Sequence, residues 1–303
     1  MTPQASLSPR AWAELFLLSL IWGASFLAVS VALGEVDVLT LVAFRFAGGG
    51  LILWTYVLLR RLPVPKAPKI WGAFLVMAVL NNVIPFSLIA WGQLRIDGGL
   101  TAILNASTAV FAVLVAAAVF ADERLTAKKF AGVTLGFIGV ATALGLSALK
   151  DFDLTSLAQL AVLGASVFYA FAGAWARAQF KGLPPQVAAA GMAGFSGVIM
   201  SALALYFDGV PSFDYAPATW AALAYMALMA TAVAYLLYYR VLAIAGSGNL
   251  LLATLLIAPI AILLGAFILG EKVEARAFAG FALLVAGMVV LDGRLLRWFR
   301  ARR

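Results

Sequence analysis

A few polar and aromatic side chains interrupt the long apolar runs of this chain, and any chemistry it performs rests on them. Thr101, Asn105 and Thr108 recur at i, i+4 and i+7, a spacing that sets three hydrogen-bonding groups on one helical face. Asn81 and Asn82 precede Pro85. That proline frees a backbone carbonyl one turn earlier, at Asn81, and the two adjacent amides, about 100° apart around a helix, are not expected to face one neighbour. Tyr235 and Tyr239 stand at i, i+4 with Tyr238 between them. Trp22 and Phe26 share a face with Ser19, Gly23 and Ser30, as Tyr169 does with Ser166 and Gly173. Amides, hydroxyls and aromatic faces can hold the ammonium, carboxylate or ring of a small amphipathic molecule. Each group also has a structural reading: interhelical hydrogen bonds for Thr and Asn, a kink at Pro85, an interfacial aromatic belt for Tyr239 and Trp91, and close packing for the small residues.

Other chemistries lack their residues. Cysteine and histidine are absent, which removes disulfides, Cys or His nucleophiles, haem ligation and ordinary zinc sites. No Lys is followed by Ser or Thr, so there is no Walker A loop. No cofactor and no metal are expected. No Asp or Glu lies in the middle third of any apolar run, which argues against the usual buried-carboxylate proton relay. One buried cation, Arg45, is too few for sugar phosphates or nucleotides. Arg45 itself reads as snorkelling or as paired with Glu35 or Asp37 in the preceding loop. A neutral or zwitterionic cargo fits this inventory. A membrane-embedded enzyme acting on lipid is the alternative from another class; it would need clustered His, Asp, Cys or Ser–Lys groups.

The elements that must position these residues are transmembrane helices. Mean hydropathy is +1.05 and 11% of the 303 residues are charged. That is more apolar surface than a soluble core of this size can hide. Runs long enough to cross a bilayer as helix lie near 11–33, 38–59, 70–91, 98–120, 128–148, 156–177, 185–206, 217–239, 247–269 and 275–296. The first lacks a basic flank and a convincing cleavage site and reads as a span, not a signal peptide. Sixteen of the 21 Lys and Arg, from Arg10 through Arg60, Arg61, Lys128 and Arg240 to Arg303, fall on one set of span ends. Only Arg95, Lys150, Lys272 and Arg276 fall on the other, which puts both termini in the cytoplasm. The net charge of +8 therefore reflects topology, and no nucleic-acid partner is expected.

Residues 123–139 and 271–287 are two versions of one segment. Glu123 matches Glu271, Phe130-Ala131-Gly132 matches Phe278-Ala279-Gly280, and Gly139 matches Gly287, all at an offset of 148. The expected fold is all-α: an integral membrane protein of ten helices forming two five-helix repeats, 1–150 and 151–303, in a single membrane domain. An odd number of spans per repeat inverts the second copy, the arrangement through which two halves open a midplane site to alternate sides. The halves differ in detail: Phe111 stands opposite Pro259, and Arg45 opposite Ala193. By the same offset Tyr235 and Tyr239 correspond to Ser87 and Trp91. Gly132 and Gly136 form a GxxxG pattern for close helix packing within or between monomers, so a homodimer is compatible and a monomer sufficient.

With Trp22-Gly23-Ala24-Ser25-Phe26, Phe44-Arg45-Phe46, the Pro259 region and the two acidic-basic-FAG segments in this order, the chain resembles the drug/metabolite transporter superfamily and its EamA-type branch of ten-helix carriers. Among these it looks most similar to bacterial exporters of aromatic amino acids. The resemblance implies a bacterial inner-membrane exporter of small amphipathic metabolites, aromatic or other apolar amino acids first. The alternative is a broad drug or metabolite exporter, or an importer. The residues expected around its cargo are Trp22, Phe26, Asn81, Asn82, Pro85, Trp91, Asn105, Thr108, Tyr169, Tyr235 and Tyr239.

Overall fold

The computed structural model describes residues 8–96, 98–121, 125–145, 156–250, 253–269 and 275–292. The repeat residues Glu123, Arg124, Glu271 and Lys272, the boundary at 150/151, Lys150 and the arginines from Arg294 onward lie outside the described residues. All regular structure among the described residues is helical.

Helix α1 (Pro9–Ala32) starts where Ser8 Oγ accepts the Ala11 amide at 3.1 Å and Pro9 occupies a position with no donor to lose. Helix α2 spans Val38–Leu59. Helix α3 (Pro68–Ala78) runs through a π-helical turn at Val79–Val83 into α4 (Ile84–Gln93). Helices α5 (Gly98–Ala106) and α6 (Thr108–Val119) follow one another across Ser107. Thr126 caps α7 (Ala127–Leu144), accepting the Lys129 amide at 3.2 Å. Next come α8 (Leu157–Gln179) and α9 (Pro185–Phe207). Helix α10 (Pro217–Ala227) passes through a second π-helical stretch, Leu228–Val233, into α11 (Ala234–Leu250). Helices α12 (Ala253–Leu269) and α13 (Ala275–Asp292) complete the bundle.

Seven stretches among the described residues are long and apolar enough to cross a membrane: Pro9–Ala32, Val38–Leu59, Pro68–Gln93, Leu100–Val119, Leu157–Gln179, Pro185–Phe207 and Pro217–Ala245. Shorter apolar helices lie at Ala253–Leu264 and Ala275–Gly287. The outer faces carry exposed Leu51, Val198 and Phe267, as expected where hydrocarbon is the solvent. The protein is a multi-pass helical membrane protein.

Packing follows the sequence offset. Helix α2 lies along α9, and α7 along α13; each pair consists of counterparts 148 residues apart. Helix α1 packs on α10, α11 and α12, while its counterpart α8 packs on α3, α4 and α6. Exchanging every helix for its counterpart leaves this pattern unchanged. The two π turns also fall at matching places. Glycine brings α7 and α13 together backbone to backbone: a Cβ on Gly280 would stand 2.4 Å from the Ala143 nitrogen, and one on Gly139 2.6 Å from the Leu284 nitrogen. The close packing expected of the glycine-rich segments thus occurs within the chain.

Two ties hold opposite ends of the bundle. At one end the Asp208 carboxylate accepts the Thr40 amide at 2.8 Å and its hydroxyl at 2.9 Å, joining the end of α9 to the start of α2. Glu35 accepts the Ala216 amide at 2.9 Å beside it. At the other end Glu14 on α1 accepts from Arg10 at 3.1 Å and from Arg240 on α11.

Candidate functional site

Asn81, Asn105, Thr108, Tyr169 and Tyr235 converge where α1, α2, the first π turn, α4, α5, α6, α8, α11 and α12 meet. They surround a cavity enclosing about 840 Å³ of space between atoms, its open mouth included. Its wall includes Trp22, Phe26, Asn81, Asn105, Thr108, Tyr169 and Tyr235. Val29, Leu41 and Gln93 extend the wall toward the end that carries the α1–α2 connection. Toward the opposite end, Ser19 on α1 donates to the Ala253 carbonyl at 3.3 Å, and Glu14 meets Arg240 beyond it.

The first π turn organises one side of the wall. Asn81 Nδ2 donates to the Tyr235 hydroxyl at 3.1 Å, Tyr235 donates to Asn82 Oδ1, and Asn82 Nδ2 donates to Ser196 Oγ at 2.7 Å. Ser196 passes the chain to the Met192 carbonyl at 2.8 Å. Asn81 Nδ2 also lies 3.0 Å from Asn82 Oδ1. The expectation that the two amides face different neighbours is therefore corrected: the widened turn brings both to Tyr235. Asn82 is fully buried and stands behind the wall, holding Tyr235.

Besides Asn82, three expected residues lie off the wall. Pro85 is buried in α4, just after the π turn; the widened turn accommodates the ring that would clash in a regular helix. Trp91 carries the Arg95 guanidinium over its ring at 4.2 Å. Tyr239 is buried against Phe180 and Tyr238, its hydroxyl 3.3 Å from Met192 Sδ, so it is not an interfacial anchor either.

The second π turn receives Arg45. Gly49 on α2 permits the approach, since a Cβ there would lie 2.4 Å from Thr231 Cγ2. Arg45 Nη2 donates to the Ala230 carbonyl at 3.0 Å, and Trp22 Nε1 donates to the same oxygen at 3.1 Å. The guanidinium lies 4.2 Å from the centre of the Phe86 ring, and Arg45 is 1% exposed. It neither snorkels nor pairs with Glu35 or Asp37, because its helix places it inward, beside the cavity. Phe86, Ser25, Gln93, Tyr238 and Thr254 also line the wall without having been named as cargo residues. Tyr238 had a signal in its place between two tyrosines. Phe86 had none, being one phenylalanine among 21.

Four wall residues hold a buried polar atom with no partner in the protein: Arg45 Nε, Asn105 Oδ1, Thr108 Oγ1 and the Tyr238 hydroxyl. Buried polar groups are ordinarily paired, and these four stand around one cavity. The aromatic rest of the wall, with Trp22 edge-on to Tyr235 at 6.1 Å and Phe86 edge-on to Tyr169 at 6.0 Å, suits an apolar body. Among the described residues no cluster of His, Cys, Asp or Glu could hold a metal ion.

Membrane-length helices around a buried amphipathic cavity define the class: a membrane transporter. Residues 11–145 and 156–291 each match the EamA-like transporter family, and the chain belongs to that family, within the drug/metabolite transporter superfamily that its motifs resemble. It is 21% identical to a Bacillus subtilis protein named uncharacterized transporter YoaV, over 89% of this chain and 92% of that one. It is 25% identical to a probable amino-acid metabolite efflux pump of Escherichia coli, over 94% and 95% of the two chains. It is 28% identical to a probable terminal-alkyne amino-acid exporter of Streptantibioticus cattleyicolor, over 69% of each. A crystal structure at 20% identity covers 93% of this chain and 98% of its own with a TM-score of 0.78, a likeness of fold.

Proposed function

We propose that the protein exports small amphipathic metabolites, foremost aromatic or other apolar amino acids, across a bacterial inner membrane. The observation that carries this reading is the cavity: an aromatic wall with a few unpaired polar groups and no carboxylate among its lining residues. Such a wall takes a neutral or zwitterionic molecule with an apolar side group. Two relatives, named a probable terminal-alkyne amino-acid exporter and a probable amino-acid metabolite efflux pump, support the same cargo.

The proposed mechanism is alternating access of two inverted five-helix halves. Three observations support it: the double family match, the packing that survives exchange of counterpart helices, and the matching π turns. The charge asymmetry of the loops supports cytoplasmic termini. In that orientation the cavity extends outward, and the Glu14–Arg240 tie closes the cytoplasmic side.

Cells producing the protein and loaded with phenylalanine by way of a phenylalanine-containing dipeptide should lose labelled phenylalanine faster than cells without it. Equal retention in both would contradict the export reading.

A further inference from the structure

We propose that Arg45 is the carboxylate-docking residue of the cavity, which selects cargo bearing one carboxylate; this rests on the proposed function and deepens it. Arg45 is a full cation, almost wholly buried, with no Asp or Glu among the residues of the same wall. A buried charge is costly unless paired. Here it is met by the dipole of the Ala230 carbonyl and the rings of Phe86 and Phe46, and its Nε is left without a protein partner. A guanidinium offers five donors in a planar fork that matches a carboxylate. One such fork neutralises one monovalent anion and no more.

The rest of the wall agrees with that polarity. Asn105 Oδ1 is an acceptor without a donor, which suits an ammonium. An amino acid supplies both complements at once, anion to Arg45 and cation to Asn105, and leaves its side group to the aromatics. The duplication adds a reason for the asymmetry. The position equivalent to Arg45 in the second half is Ala193, and the position equivalent to Ala230 in the first is Asn82. At the α2 crossing the cation reaches a π-turn carbonyl. At the α9 crossing, Ser196 instead receives the Asn82 amide. Only one of the two quasi-equivalent crossings carries charge, so bound cargo takes a single orientation.

The test uses purified full-length protein and two probes that separate the charges: 3-phenylpropionate, with a carboxylate and no ammonium, and phenethylamine, with the reverse. Binding is read as ligand-dependent rise in melting temperature. The native protein should be stabilised by 3-phenylpropionate and by phenylalanine, and far less by phenethylamine. Arg45→Gln should weaken 3-phenylpropionate binding at least about tenfold, as loss of a charge-assisted pair does, while Arg45→Lys keeps part of it. A purely structural Arg45 would lower the melting temperature without changing which probe binds. Equal or greater stabilisation by phenethylamine, no response of the native protein to 3-phenylpropionate, or full binding in Arg45→Gln would each overturn the proposal. Should Arg45→Gln not fold, the native protein and Arg45→Lys with the two probes decide it. Phenylalanine export without carboxylate preference sinks the role of Arg45 alone. Carboxylate preference without phenylalanine export sinks the amino-acid cargo and leaves Arg45 standing.

Discussion

Tyr235 accepts from Asn81 and donates to Asn82, and so couples the first π turn to α11 at the cavity wall. Asn105 and Asn82, alike in the sequence as amides within apolar runs, therefore do different work. Asn82 has both its oxygen and its nitrogen engaged, whereas the side-chain oxygen of Asn105, a wall residue, has no partner in the protein. Asn82→Leu should cost about 1–2 kcal/mol, the scale of buried hydrogen bonds inside membranes, and transport should fall with stability. Asn105→Leu should leave the melting temperature nearly unchanged and still impair transport; thermal unfolding and uptake assays on both variants check the contrast. Outside the membrane, Thr219 and the Ala216 amide hold the Glu35 carboxyl below the usual glutamate value. The small stability from this exposed tie is complete above about pH 4.3 and is lost as pH falls through the lower folded value. A carboxyl titration by NMR should find Glu35 below other exposed glutamates, and Thr219→Val should raise it toward them. Asn105, Thr108 and Tyr235 line the cavity, while Thr101, four residues before Asn105, and Tyr239, four after Tyr235, do not: helical periodicity sets a face locally and says nothing of what that face meets. The partner of Arg45 was not legible, since the Ala230 carbonyl lies 185 residues away and only the helix crossing joins them.

At the scale of elements, two features govern the architecture: glycine contacts and π turns. The Gly280 and Gly139 contacts leave no space for a side chain where α7 meets α13, and the obstacles are backbone atoms that cannot swing aside. Gly280→Leu should lower the yield of folded protein and the melting temperature by several degrees, whereas Phe278→Leu, at a position exposed on the same helix, should change neither. Equal effects would show that α13 does not need this close approach. The matching FAG segments made the packing role legible. The π turns were not, because these helices are apolar on most faces and the register shift of one widened turn leaves no mark in such a sequence. Pro85 hinted at the first, but the second, at Leu228–Val233, contains no proline. Trp91 and Tyr239, both expected near the cargo, lie off the wall, because a shared position in a repeat does not fix where a ring points once the two halves carry different neighbours.

For the whole molecule, the composition and the doubled segment made an all-helical membrane protein legible, and the family match to both stretches agrees. Cargo choice would rest on the few side chains of one cavity wall in a chain of 303, and composition and repeats do not report on them. The proposed export requires the cavity to be the transport site for an amino acid. Counterflow in liposomes holding the purified protein tests that claim most directly. With unlabelled phenylalanine inside and no ion gradient, labelled phenylalanine should accumulate transiently, and Asn105→Leu should reduce that accumulation. No accumulation with or without a proton or sodium gradient, or full accumulation in Asn105→Leu, would contradict it.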